Sequence, residues 1–140
     1  PVEIGAPARS GAHPGRILLM DDERGVRDVA RAVLENEGYR VDVAADGREA
    51  VEAFRASIAS GRPYDAVVLD LTVRQGMGGL ETIGHLLRLD PGVRAIVASG
   101  YSEDPVLADP ARHGFKGVLV KPFRSRDLRA VVRDTLSAPA

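Results

Sequence analysis

Cysteine is missing from this chain, which rules out disulfides, thiolate metal sites and cysteine nucleophiles together and suits a reducing compartment. An excess of charge of either sign is missing too. With 19 basic and 20 acidic residues the formal charge is -1, so no electrostatic reason exists to expect nucleic acid or an anionic membrane as a direct partner. No run reaches the roughly 18 apolar residues of a spanning helix, and the N-terminus lacks the apolar middle region of a signal peptide. No internal period of 20 to 50 residues points to a solenoid. His13, His85 and His113 have no metal-ligand spacing and read as ordinary tether, surface or helix-end residues. Lysine is scarce: Lys116 and Lys121 are two among 19 basic residues, the others being arginine.

What is present suits one domain. The 140 residues, 44% of them apolar, can bury a core that folds alone. Residues 1–15 (PVEIGAPARSGAHPG) have no period and read as a flexible linker, with a domain over 16–137 and a tail over 138–140. The start at Pro1 without an initiator Met suggests a cut from a longer chain.

Four apolar runs lack polar alternation: Ile17 to Met20, Ala66 to Leu69, Val93 to Ala98 and Val118 to Val120. Each reads as a central strand covered on both faces. Arg40 to Ala44 alternates instead, as an edge strand does. Helical spacing fills the gaps. Val26, Val29, Ala30, Val33 and Leu34 form one stripe closed by Gly38; Ala50, Phe54 and Ile58 form a second behind an Asp46-x-x-Glu49 cap. Leu80, Ile83 and Leu87 mark a third helix, while Leu128, Val131, Val132 and Leu136 follow a Ser125 cap in the last. Pro110 is costly inside a helix, so the fourth is predicted to be short or broken between Val106 and His113. Five strands alternating with five helices give an α/β, flavodoxin-like (βα)5 unit, a doubly wound parallel sheet in the order 2-1-3-4-5.

In such a sheet the ligand site lies beyond the carboxyl ends of the strands. Asp21-Asp22-Glu23 follows the first run, Asp70 the second, Ser99-Gly100 the third and Lys121-Pro122 the fourth. Acids, a hydroxyl and an ammonium would meet there, a set that reads as a Mg²⁺ site with an aspartate poised to take a phosphoryl group. Taken singly, each has a bland explanation: a helix start, a turn, a helix entry. Their joint placement carries the functional reading.

These residues, in this order, resemble a receiver domain of two-component signalling, and the likeness runs from about Arg16 to Leu136. The resemblance implies that Asp70 is the phosphoacceptor, with Lys121 and Ser99 stabilising the phosphoryl oxygens. Asp22 and Asp70 would ligate Mg²⁺ directly, Asp21 through water, and Thr72 through its backbone carbonyl. Crowded carboxylates without the cation should raise at least one acid pKa and weaken metal binding in acid. The implied partner is a phosphohistidine-bearing kinase or phosphotransfer domain. Catalysis would be confined to the domain's own phosphorylation and dephosphorylation. A compact ammonium at Lys121 suits a phosphoryl oxygen better than a guanidinium fork, and a cis Lys121-Pro122 bond is implied.

The stretch SGYSEDP…GFKGVLVKPF further resembles receivers joined to sensor histidine kinases. The expected context is the C-terminal receiver of a hybrid kinase, cytoplasmic even if its parent is membrane-anchored. A stand-alone regulator is the runner-up. A flavin module is disfavoured because the first acidic loop would repel a phosphate, and a haloacid-dehalogenase-type phosphatase because Thr72 stands where a second Asp is usual. Departures from the family pattern are Arg74 where Pro is usual, a glycine-containing loop one residue longer, and Val118 in place of the aromatic switch. Tyr101 lies two after Ser99, and phosphorylation is expected to shift residues 99–103 more than Val118. Arg126, Arg129 and Arg133 read as a solvated helix face.

Overall fold

The computed structural model describes residues 15–100 and 104–138. The linker over 1–14 with His13, Tyr101 to Glu103, and residues 139–140 of the tail lie outside the described residues.

Five parallel strands form one sheet in the order β2-β1-β3-β4-β5: β1 (Arg16–Met20), β2 (Arg40–Ala44), β3 (Ala66–Asp70), β4 (Ala95–Ser99) and β5 (Gly117–Val120). The connecting helices are α1 (Arg24–Asn36), α2 (Gly47–Ala59), α3 (Gly79–Leu89), α4 (Pro105–Ala108) and α5 (Ser125–Ser137). The fold matches the sequence expectation in class and strand order.

Side-chain alternation divides the core into two layers. Leu18, Met20, Val67, Leu69 and Val97 pack with Phe54 of α2 and with Ile83 and Leu86 of α3. On the opposite face Ile17, Leu19, Val68, Ile96 and Leu119 pack with Leu34 of α1 and with Leu128 and Val132 of α5. Burial on both faces is why β1, β3 and β4 read as continuous apolar runs. Every residue of β3 and β4 is buried, so polar residues at their ends, Asp70 and Ser99, are held rigidly.

Local signals explain most boundaries. The Asp46 carboxylate accepts the Glu49 amide at 2.9 Å, while Glu49 turns back to the Ala45 amide at 2.8 Å, one residue earlier than an ideal capping box. Gly38, at φ 98°, ends α1 in the left-handed region, where a Cβ would be unfavourable. The fourth helix is indeed short: Pro105–Ala108 is followed by a separate 3₁₀ turn at Pro110–His113. Pro110, with no amide proton to continue the α-helix, starts that turn instead.

Three expectations need correction. Val118 to Val120 is not a central strand: among the described residues β5 has a neighbour on one side only, and Val120 is 44% exposed. Three consecutive apolar residues are too few to distinguish an edge from a centre. Val29, Ile58 and Leu80 fit helical stripes but lie outside the packed interface, at 61%, 42% and 48% exposure. Ser125 is the first residue of α5 rather than its cap. Arg124 holds the cap position, its amide donating to the Asp127 carboxylate at 2.9 Å. Arg126 and Arg133 are exposed and Arg129 half-buried, in keeping with a solvated face.

No helix among the described residues is long and apolar enough to cross a membrane.

Candidate functional site

Parallel register fixes the site before any side chain is considered. Pairing of Leu69 with Met20 and of Asp70 with Ala98 brings the ends of β1, β3 and β4 to one level, while Ser99 pairs with Val120 to set β5. The next residues along each strand therefore emerge at the same end of the sheet: Asp21 and Asp22, Asp70, Ser99, and Lys121. The backbone carries the arrangement further, since the Lys121 amide donates to the Ser99 carbonyl at 2.8 Å and the Leu71 amide to the Ala98 carbonyl at 2.9 Å. The Lys121-Pro122 bond is cis, as the family likeness implied.

Carboxylate oxygens of Asp21, Asp22 and Asp70 all lie within 4.8 Å of one another. Asp70 is fully buried and Asp21 nearly so. Lys121 reaches in from β5, its Nζ 2.6 Å from Asp21 Oδ2 and 3.3 Å from Asp70 Oδ2. Thr72 holds the other oxygen of Asp70, its amide donating to Oδ1 at 3.1 Å and its hydroxyl at 2.9 Å. Asp70 Oδ2 is buried and, among the described residues, has no partner that meets hydrogen-bond geometry; the ammonium 3.3 Å away compensates its charge. A buried carboxylate oxygen without a donor is costly unless something else takes its lone pairs.

Charge counting leads to the same place. Four carboxylates, those of Asp21, Asp22, Glu23 and Asp70, face the side-chain cations of Lys121 and Arg74. Among the described residues, two negative charges remain unbalanced. Hard oxygen donors with a surplus of that size fit a divalent cation such as Mg²⁺, which takes one or two carboxylates and keeps several waters.

Burial pushes the Asp21 carboxyl above its ordinary 3.8, and the charge of Asp70 adds to the rise against the opposing pull of Lys121 and the Glu23 amide. A raised acid was expected, but desolvation rather than crowding is its larger cause. Asp22 moves the other way. Partial burial alone would raise it, yet the Arg74 amide and guanidinium hold it below 3.8. Lys121 is lifted above 10.5: burial disfavours its charge, but Asp21 and Asp70 outweigh that penalty.

All six residues expected at the site reach this end of the sheet. Asp21, Asp22, Asp70 and Lys121 come together directly. Ser99, fully buried, ends the adjacent strand, and Thr72 contacts Asp70 through its amide and hydroxyl. That hydroxyl contact was not anticipated. One further participant, Arg74, was missed, while Glu23 was expected only as part of the acidic group Asp21-Asp22-Glu23 and without a role of its own. Arg74 was noted only as an unusual loop residue, yet its amide donates to Asp22 Oδ2 at 3.1 Å and its guanidinium lies 3.5 Å from both Asp22 and Glu23. A cleft of about 690 Å³ opens beside the acids, between Lys121, Thr72 and Arg74 on one side and Val26, Val29 and Phe123 on the other. A depression of similar size, about 640 Å³, around Arg16, Tyr39 and Arg62 contains none of these groups.

Residues 17–133 match the family model of the response regulator receiver domain. The chain is 30% identical over 121 residues to the sporulation initiation phosphotransferase F of Bacillus subtilis, covering 86% of this chain and 93% of that protein. It is 36% identical over 143 residues to the alkaline phosphatase synthesis transcriptional regulatory protein SphR of Synechococcus elongatus, covering 96% of this chain but 54% of SphR. It therefore spans about half of that relative. Among solved structures, the response regulator TrrA of Thermotoga maritima in complex with Mg²⁺ and beryllium fluoride superposes with a TM-score of 0.74 at 30% identity, over 86% of this chain and 97% of TrrA.

Proposed function

We propose, from the premise that this chain belongs to the response regulator receiver domain family, that it accepts a phosphoryl group on Asp70 and changes conformation in response. The observation that carries this reading is Asp70 Oδ2, a buried carboxylate oxygen that receives no hydrogen bond among the described residues and lies 3.3 Å from an ammonium. Receiver domains serve two-component signalling, and the donor proposed here is a phosphohistidine on a kinase or phosphotransfer domain.

The chain's own groups divide the work. Thr72 pins Asp70 Oδ1 and so leaves Oδ2 facing the Lys121 ammonium. Oδ2 forms the new bond to phosphorus as the donor's N–P bond breaks and the imidazole leaves with the electron pair. Lys121, moved from carboxylate toward phosphoryl, offsets charge developing on one equatorial oxygen, and the Ser99 hydroxyl is assigned a second. Hydrolysis of the acyl phosphate by water later restores Asp70. Asp22 and Asp70 would hold Mg²⁺ directly, with Asp21 acting through water and the Thr72 carbonyl as a further ligand. When bound, the ion supplies positive charge that offsets the repulsion between phosphoryl oxygens and these acids.

Activity of this chain is thus limited to its own phosphorylation and dephosphorylation. The stretch SGYSEDP…GFKGVLVKPF supports a parent of the hybrid histidine kinase type, working at the cytoplasmic side. The alternative is a stand-alone regulator.

Metal removal tests the assignment. Incubated with acetyl phosphate and Mg²⁺, the chain should gain the mass of one phosphoryl group, and an excess of EDTA should abolish the gain. Equal uptake in EDTA would contradict the role given to the acid cluster.

A further inference from the structure

Arg74 occupies a peculiar place at the mouth of the acid cluster. Its side chain is 75% exposed, yet Nε lies 3.5 Å from Asp22 Oδ2 and Nη2 lies 3.5 Å from Glu23 Oε2. The backbone amide of the same residue donates to the same Asp22 oxygen at 3.1 Å. Glu23 stands between two cations, with Oε1 4.0 Å from Lys121 and Oε2 facing Arg74. Lys121 serves the inner, buried pair of acids, while Arg74 covers the outer pair.

The two halves of Arg74 differ in how firmly they are held. The amide belongs to a loop tied down on both sides, by Leu71 on the Ala98 carbonyl and by the Gly47 amide on the Met77 carbonyl at 2.7 Å. The guanidinium lies in water on a flexible stem, and an ion pair so exposed is easily broken. A divalent cation held by Asp22 needs lone pairs and negative potential that the guanidinium already uses. The amide bond lies along the backbone and can persist.

We infer that Arg74 is a built-in competitor for the divalent cation: its guanidinium neutralises Asp22 and Glu23 in the metal-free protein, must swing away when the ion arrives, and so sets the site's affinity. This rests on reading the acid cluster as a Mg²⁺ site. Arg74 tunes metal affinity in this account, acting through Asp22 and Glu23 rather than on the phosphoryl group.

The test is calorimetric titration of MgCl₂, alone and at constant ionic strength, into the full 140-residue chain. Arg74→Ala and Arg74→Gln should both bind Mg²⁺ about two- to tenfold more tightly than the wild type, the range expected for losing one or two exposed ion pairs. Arg24→Ala is the control. It deletes the same charge next to Glu23 from a guanidinium that is 86% exposed and paired with Asp28, and it should change affinity by less than about twofold. Unchanged or weaker binding by both Arg74 variants would overturn the inference, as would an equal gain in Arg24→Ala, since a diffuse field would then explain everything. If all variants bind equally, only the role of Arg74 falls. If none binds Mg²⁺ although all melt cooperatively, the reading of the acid cluster falls and the inference with it.

Discussion

Replacing Asp70 by asparagine should abolish phosphoryl uptake and, in metal-free buffer, make the protein more stable. The first effect follows from losing the attacking oxygen: an amide is no nucleophile toward phosphorus, and its side-chain oxygen would stay with Thr72. The second follows from burial. Asp70 is fully buried, one of its oxygens receives no hydrogen bond among the described residues, and two further carboxylates lie within 4.8 Å. A neutral amide removes that anion and leaves Lys121 with Asp21, its nearer partner at 2.6 Å. The gain should be roughly 1–2 kcal/mol, the size of an uncompensated buried polar group, as expected where function is maintained against stability. Urea unfolding in EDTA together with intact-mass uptake measures both. Uptake equal to wild type would remove Asp70 from its role, and a loss of stability would show that its charge is fully satisfied.

Lys121→Met should do the reverse. The Lys121 side chain is 14% exposed and its ammonium is shared by Asp21 and Asp70, so its loss strands two buried carboxylates and should cost about 3 kcal/mol near neutral pH. Phosphoryl uptake should slow on the order of 10²-fold, the usual effect of deleting one preorganised electrostatic contact. The two substitutions share one cluster and cannot be additive. Asp70→Asn should stabilise the Lys121→Met background more than it stabilises wild type, with a coupling above roughly 1 kcal/mol.

The pH profile carries the signs. Because the folded pKa of Lys121 is raised, its stabilisation is full below 10.5 and is lost as pH rises through the folded value, so the deficit of Lys121→Met should shrink on the alkaline side. Asp21, also raised, exacts no penalty below 3.8 and its full penalty above its folded value. Without the lysine that penalty deepens, so the deficit should shrink in acid as well. Asp22 opposes this in both proteins alike, its contribution present above 3.8 and lost as pH falls through its lowered value. A deficit independent of pH would contradict the buried cluster. Urea midpoints across the range decide it.

Much of this was legible in the chain because the informative residues are local to strand ends. An unbroken run such as Ala66 to Leu69 announces a strand buried on both faces, and the acid behind it is then at the ligand end of the sheet by topology alone. The proline that shortened the fourth helix acts through its own backbone. Failures came where the answer depends on a distant neighbour. Val120 is as apolar as a central residue, and nothing beside it in sequence tells that β5 has no partner beyond it. Val29 obeys the helical period of α1 but lies past the width of the interface, since periodicity gives a face and not its edges. Arg74 was invisible as a site residue for the same reason: Asp22 and Glu23 lie about fifty positions away in the chain, 52 and 51 by residue number, and only folding brings them within reach. The hydroxyl contact of Thr72, a residue expected only through its carbonyl, could have been found, because a hydroxyl two residues after an aspartate is a common local partner for its carboxylate.

The central claim is that the fold gathers Asp21, Asp22 and Asp70 around a divalent ion and leaves one oxygen of Asp70 beside Lys121 for phosphorus. A crystal structure of the chain with Mg²⁺ and beryllofluoride tests it most directly. The account predicts beryllium bonded to Asp70 Oδ2, a fluorine in contact with Lys121 Nζ, and the metal on Asp22 and Asp70. Beryllofluoride on any other side chain, or a metal ion that touches none of the three aspartates, would contradict it.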